Sequence, residues 1–304
     1  MKNTFGSALG LTIFGESHGA GVGAVLDGMA AGVPVDHAAL AALMDKRRAR
    51  GDGLSTARVE ADEIRILSGV VDGHTTGTPI TLLIENHNTR SADYAATAAL
   101  LRPGHADYTA YARYRGFQDA RGGGHFSGRI TAGLVAGGGV VLGALERAGV
   151  RIATHIARCA GLADTPFAQD DPAALAAQLD VLAARGAGFA LLDQSAEAPM
   201  QAAIRAAGSE GDSVGGVLET AILGLPAGVG EPFFDSVESV LAHMAFSVPA
   251  VKGIEFGAGF GFADLRGSQA NDPLRIRDGH IYTETNRNAG INGGLANGMP
   301  VVYR

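Results

Sequence analysis

Apolar residues recur along the chain in short runs parted by glycine-rich turns, which predicts brief strands alternating with helices. Residues 11–14 read as a strand entering Gly15-Glu16-Ser17-His18-Gly19, and residues 22–26 as a second strand ending at the Asp27-Gly28 turn signal. Asp36 is a candidate N-cap for a helix with Leu40, Leu43 and Met44 on one face. That helix closes on Lys46, Arg47 and Arg48, the charge sign its C-terminal dipole favours. Residues 50–55 form a polar loop. Residues 63–71 and 79–85 predict a hairpin with a wide turn, and residues 86–93 a polar loop rich in amide side chains. From Ser127 to about Ala148 runs a small-residue helix containing Gly133, Gly137, Gly138 and Gly139. Each glycine costs a helix about 1 kcal/mol relative to alanine, so the run predicts a buried central helix on which another backbone packs closely.

The second half repeats the style. Residues 150–156 predict a strand, and Asp171-Pro172 starts a helix with Leu175, Leu179 and Leu182 at helical spacing. Residues 199–207 predict another helix, residues 215–223 a strand, residues 234–245 a helix, and residues 251–256 a strand. The tail from Asn286 to Arg304 holds Gly290, Gly293, Gly294 and Gly298 in a tight loop before Val301-Val302-Tyr303, which reads as a strand. Two halves that each mix strands and helices, with no dividing linker, predict one α+β domain over residues 1–304 with an internal pseudo-repeat.

Composition narrows the partners. With 304 residues, 46% of them hydrophobic, the chain can bury a sizeable core, and its net charge of −7 argues against nucleic-acid binding. The single cysteine, Cys159, allows no internal disulfide, and the N-terminus lacks a signal-peptide pattern. No uninterrupted apolar run reaches bilayer-spanning length, so the expectation is a cytoplasmic protein without a membrane partner.

Against that acidic balance, residues 101–139 gather Arg102, His105, Arg113, Arg115, Arg121, His125 and Arg129 around Gly122-Gly123-Gly124. Concentrated positive charge focuses field on an anionic ligand, and glycines let backbone amides approach it. Ser127 can cap the helix that follows, aiming its N-terminus at the same place. His18 and His105, each in a glycine-flanked turn, are candidate proton donors or acceptors. Ser17 lacks the Gly-x-Ser-x-Gly elbow of a serine hydrolase. The nine histidines are scattered without metal-ligand spacing, so no metal is expected. A glycine-rich nucleotide-binding domain is a further generic possibility, but Gly257-Ala258-Gly259-Phe260-Gly261 lacks the strand-turn-helix setting of a dinucleotide fingerprint.

Phe14-Gly15-Glu16-Ser17-His18-Gly19, Arg102-Pro103-Gly104-His105-Ala106-Asp107-Tyr108 and Arg121-Gly122-Gly123-Gly124-His125-Phe126-Ser127-Gly128-Arg129 occur in one order with several shorter motifs, among them Thr76-Gly77-Thr78-Pro79-Ile80 and Arg266-Gly267-Ser268-Gln269. Together they resemble the chorismate synthase family, in the branch carrying His-Phe-Ser after the glycines. The resemblance implies a single-domain β-α-β sandwich and a homotetramer. It implies anti 1,4-elimination of phosphate from 5-enolpyruvylshikimate 3-phosphate to give chorismate, a step of aromatic amino-acid biosynthesis that needs reduced FMN, with NADPH as a possible reductant. By that resemblance His18 protonates the departing phosphate and His105 supports the reduced flavin, both with a pKa raised by anionic neighbours. His125, Phe126, Ser127, Pro249, Ala250 and Gly293 fall at FMN contacts. Arg48 and Ser17 fall at substrate or NADPH contacts, and Arg121 and Arg129 are added as substrate-binding candidates. The family pattern continues past Arg304 into further FMN and base motifs, and Arg50 stands where proline is usual. The chain therefore reads as C-terminally short, and a catalytically impaired binding or assembly protein is the alternative.

Overall fold

Strict alternation of buried and half-buried positions along Ile80–Glu85 sets the first sheet, with Ile80, Leu82 and Ile84 fully buried. Its strands are β1 (Thr4–Phe5), β2 (Gly10–Gly15), β3 (Gly21–Asp27), β4 (Ile64–Ser68) and, after a short ladder of β5 (Val70–Val71) with β6 (His74–Thr75), β7 (Ile80–Glu85). The order is β1-β2-β3-β7-β4, antiparallel throughout, with a register shift between Ile66 and Ser68. The predicted hairpin is thus β4 with β7, and its wide turn carries the β5–β6 ladder. Helix α1 (His37–Arg47) starts where Asp36 accepts hydrogen bonds from the Ala38 and Ala39 amides, as expected of its cap. Helix α2 spans Asp107–Tyr114, and helix α3 (Thr131–Arg147) is preceded by a 3-10 turn, Gly128–Ile130.

The computed structural model describes residues 2–56, 58–88 and 100–304, so part of the predicted loop at 86–93 lies outside the described residues. The chain forms two compact units, Met1–Ala144 and Leu145–Arg304. In the first, α3 is the central helix its glycines predict. A Cβ on Gly133 would sit 2.4 Å from the Gly23 carbonyl oxygen of β3, so only glycine lets helix and strand approach this closely. Ala132, Ala136 and Val140 of α3 share the core with Val22, Leu26, Leu40, Met44 and Leu82. By length and composition, residues Gly128–Arg147 are long and apolar enough to cross a bilayer, although Arg129, Glu146 and Arg147 interrupt their apolar run. Their small residues are instead spent on the sheet. This helix is core.

The second unit repeats the plan of antiparallel sheet plus helices, which makes both halves α+β. Its elements are β8 (Arg151–Cys159), β9 (Leu162–Ala163), α4 (Pro172–Ala184), α5 (Glu197–Ser209), β10 (Gly216–Leu223), α6 (Val237–Ala245), α7 (Gly267–Ala270), β11 (Leu274–Arg277), β12 (His280–Thr283), β13 (Ile291–Asn292), β14 (Leu295–Ala296) and β15 (Val301–Tyr303). The main sheet runs β15-β10-β8-β9, so the predicted strand at the tail is real and pairs with β10. The strand expected at 251–256 does not form. Ala250 has φ +70°, Lys252 and Gly253 follow, and only Phe256 makes a bridge, to Tyr303.

Candidate functional site

The glycine run between α2 and α3 is the pivot of the first unit. Gly122, Gly123 and Gly124 have φ of 59°, 94° and 55°, the left-handed region that side chains other than glycine rarely adopt. Space excludes a side chain as well. A Cβ on Gly122 would lie 2.1 Å from His18 Cε1 and 2.3 Å from Nδ1, and one on Gly123 would lie 2.8 Å from both Cε1 and Nε2 of His105. One backbone turn is therefore a wall for both imidazoles. It is fastened to the β2–β3 loop by the Ser17 amide, which donates to the Gly124 carbonyl at 3.1 Å. His125 adds a second tie from Nδ1 to the Gly15 carbonyl oxygen at 2.8 Å.

On the Gly122 side lies a cavity of about 530 Å³, within the range of small-molecule sites. His18, Arg48, Arg58, Ser127 and Gly128 line it, and Ser127 caps the following turn by accepting from the Arg129 amide at 3.2 Å. Arg47, Arg48, Arg58 and Arg129 face it against Glu60 and Asp62, which leaves positive charge in excess. His18 is 8% exposed, and Ser17 Oγ lies 3.0 Å from its Nδ1. The Ser17 hydroxyl also reaches the Gly122 carbonyl oxygen at 3.2 Å. Burial lowers the His18 pKa below its ordinary value, and the Arg58 and Arg121 cations push it further down, against the opposing pull of Asp119 and Glu60. This reverses the expectation of a raised pKa, because burial first, and then the neighbouring cations, outweigh the anions around His18.

On the Gly123 side, His105 lines a smaller cavity of about 280 Å³ with Leu101, Ala110, Tyr111, Gln118 and Phe126. Its Nδ1 is 2.8 Å from Asp107 Oδ1, and Arg102 grips the same carboxylate from Nε at 2.9 Å and Nη2 at 2.8 Å. Arg102 holds the Asp107 carboxyl far below the usual range, against the cost of burial. An ionised Asp107 makes Nδ1 the protonated nitrogen and leaves Nε2 facing the glycine turn. Gln118 Oε1 is buried in this wall without a hydrogen-bond partner among the described residues.

The other expected site residues divide. Arg121 is tied to Asp119 through Nε at 2.9 Å and Nη2 at 2.7 Å, with an exposed side chain. Arg48 pairs with Asp45 at 2.5 Å and faces the His18 cavity. Arg129 is 7% exposed, and its guanidinium is engaged by Asp62, by Asn86 Oδ1 at 2.9 Å and by the Glu85 carbonyl at 3.2 Å. It reads as a brace of the cavity wall rather than as a free anion ligand. Pro249, Ala250 and Gly293 belong to the second unit, all exposed, with Gly293 in the turn between β13 and β14. Sequence reasoning missed Arg58, Glu60 and Asp62. Arg58 Nη2 donates to the Ser17 carbonyl at 2.9 Å and to Glu60 Oε1 at 2.7 Å, so it reaches across to the His18 loop. Burial alone would raise the Glu60 carboxyl, but Arg58 and the His87 and Asn88 amides hold it below its usual value. The signal was present as alternating charge at 58, 60 and 62, in a stretch where the fold reading named no element.

Residues 9–304 match the family model described as chorismate synthase. The chain is 43% identical over 305 residues to the chorismate synthase of Dehalococcoides mccartyi, covering all of this chain and 81% of that one. It is 43% identical over 299 residues to the chorismate synthase of Pyrococcus abyssi, covering 98% and 81%. A solved structure described as the crystal structure of chorismate synthase superposes with a TM-score of 0.79 at 27% identity, over 97% of this chain and 83% of that chain.

Proposed function

The chain belongs to the chorismate synthase family, and we propose that it carries out the family's reaction at the His18 cavity and the glycine turn beside it. In that reaction 5-enolpyruvylshikimate 3-phosphate loses phosphate to give chorismate. The carbon–oxygen bond to phosphate breaks and a proton leaves the far end of the allylic system, so the chemistry needs an anion site, a proton donor to the leaving group and a base that takes the ring proton. The observation that carries the assignment is the glycine turn. It seats His18 and His105 against one stretch of backbone and opens His18 onto an arginine-lined cavity.

Within the cavity, Arg48 and Arg58 bind the phosphate and His18 donates a proton to it. The lowered pKa of His18 fits this order of events. The imidazole is neutral before substrate binds; the phosphate dianion raises its pKa, so the ring takes up a proton from solvent and then donates it to the departing phosphate. Ser17 and Gly122 fix the plane of the ring while this happens. Arg121, close enough to act on His18, steers the substrate from the exposed rim.

The family is generally flavin-dependent, and the residues on the His105 side fit a flavin. The walls combine apolar and aromatic side chains, Tyr111 and Phe126 among them, with the polar Arg102, Asp107 and Asp119, and the buried Gln118 Oε1 is an acceptor available to a donor such as a ring N–H. His105, His125, Phe126 and Ser127 would hold reduced FMN. Pro249, Ala250 and Gly293 remain FMN-contact candidates through the family resemblance. When bound, the reduced flavin supplies electron density to the reacting ring without net redox change. His105 presents Nε2 there, its orientation fixed by Asp107. NADPH as reductant, a homotetramer, a cytoplasmic location and a single catalytic domain over residues 1–304 complete the proposal. The last is supported by a family match that runs unbroken from 9 to 304.

The test is phosphate release from 5-enolpyruvylshikimate 3-phosphate under anaerobic conditions with chemically reduced FMN supplied. Steady release, abolished when the flavin is left oxidised, is expected. No release from folded protein at any flavin concentration would instead make it a binding or assembly member of the family.

A further inference from the structure

Asp62 has no part in the assignments above, yet its geometry is unusual. Its φ is +52°, in the left-handed region, although it is not glycine. Such backbone strain persists where the surroundings over-determine it, and it clusters at functional sites. The Asp62 side chain has no exposed surface, and each carboxylate oxygen meets a different guanidinium, Arg47 on Oδ2 and Arg129 on Oδ1. All three residues line the His18 cavity. Arg129 has further partners in Asn86 and Glu85. Arg47 has little else. Its Nη2 reaches the Gly128 carbonyl only at 3.4 Å, and its buried Nε has no partner among the described residues.

From this we infer that Asp62 is a positioning residue that restrains Arg47, keeping it off the phosphate so that Arg48 and Arg58 alone define where the anion binds. An arginine freed inside such a cavity would pair with phosphate strongly. It would do so from the α1 wall, drawing the leaving group away from His18. The strained backbone at position 62 is what turns both carboxylate oxygens toward the two arginines. The inference rests on the proposal that this cavity takes the substrate phosphate.

The experiment measures inorganic phosphate binding by titration calorimetry, and flavin-supplied turnover, on the full chain and on Asp62→Asn, Asp62→Gly and Asp62→Asn/Arg47→Gln. Asparagine and glycine both tolerate a left-handed φ, so at least one single variant should fold. The expected result is phosphate bound about threefold to tenfold more tightly by the single variants while kcat falls about tenfold or more. In the double variant the tighter binding should disappear, which singles out Arg47 as the released cation. Phosphate affinity that is unchanged or weaker in both single variants would overturn the inference, leaving Asp62 as a brace only. Arg48→Gln and Arg58→Gln serve as the separate control. If neither weakens phosphate binding to the otherwise native chain, the anion site lies elsewhere and the underlying reading fails with the inference.

Discussion

Two buried histidines, one in each unit, show how neighbours decide what an imidazole is for. His18 sits among arginines, its Nδ1 facing a serine hydroxyl and its ring opening on a cavity. His155 of β8 is fully buried between two carboxylates, with Nδ1 2.7 Å from Asp164 and Nε2 3.1 Å from Glu219. Those carboxylates are committed in turn, Asp164 to the Leu192 and Asp193 amides and Glu219 to the Phe167 amide. The Phe167 ring stands edge-on 4.6 Å from the imidazole. His155 has both ring nitrogens engaged by carboxylates, so it holds a sheet to its loops. His18 has the opposite charge around it and an open approach. Burial alone does not mark a catalytic histidine; the sign of the surrounding charge and an empty space beside it do.

The sharpest way to break that comparison is to remove each ring. His18→Ala should lower flavin-supplied turnover by about 10²- to 10⁴-fold with a nearly unchanged urea midpoint. His155→Gln should do the reverse. Stripping a buried partner from two carboxylates costs about 3–5 kcal/mol, read as a lower unfolding midpoint, while turnover per folded molecule stays within about twofold. A large turnover loss in His155→Gln without destabilisation would erase the distinction.

A finer cut compares two glycines that both have positive φ. Gly122 faces the His18 ring, whereas a Cβ on Gly149 (φ +85°) would meet nothing within 4 Å. Gly149→Ala should cost about 1 kcal/mol of stability and little activity. Gly122→Ala carries the same backbone penalty and also displaces the imidazole. Turnover should drop about 10²-fold, since a shift of about 1 Å in a reacting group costs that much. Equal kinetic effects from the two variants would mean that the turn does not position His18.

Much of this was legible in the sequence because it depends on local chemistry. Asp36 and Asp171 cap their helices as their positions predict, each accepting from two backbone amides. The run Gly122 to Gly124 marks itself, since three adjacent glycines have few uses other than close approach. What stayed hidden depends on distant partners. The stretch holding Arg58, Glu60 and Asp62 has no regular element of its own, and its charges gain meaning from Ser17 and Arg47 before it and from Arg129 and the His87 and Asn88 amides after it. Helix α2 was overlooked because only Ala110 of its eight residues is buried, which leaves no apolar stripe to read. The β11–β12 hairpin did carry a signal, Asp278-Gly279 between alternating residues, and that one was missed.

The smallest effect is a titration, and it tests the sign of the field at His18. The ring should titrate below the ordinary value of 6.5 in the free protein, followed by its Cε1 proton resonance in NMR spectra. A base whose pKa is lowered on folding binds fewer protons in the folded than in the unfolded state. The stability linked to His18 is therefore fully present above pH 6.5 and is lost as pH falls from there through the lowered folded value. Arg58→Gln removes the largest charge responsible, so the midpoint should move up toward 6.5, and adding inorganic phosphate to the native chain should move it up as well. A His18 midpoint that stays put when phosphate binds would mean that the anion does not sit beside this ring, and the proton for the leaving group would then have to come from another residue.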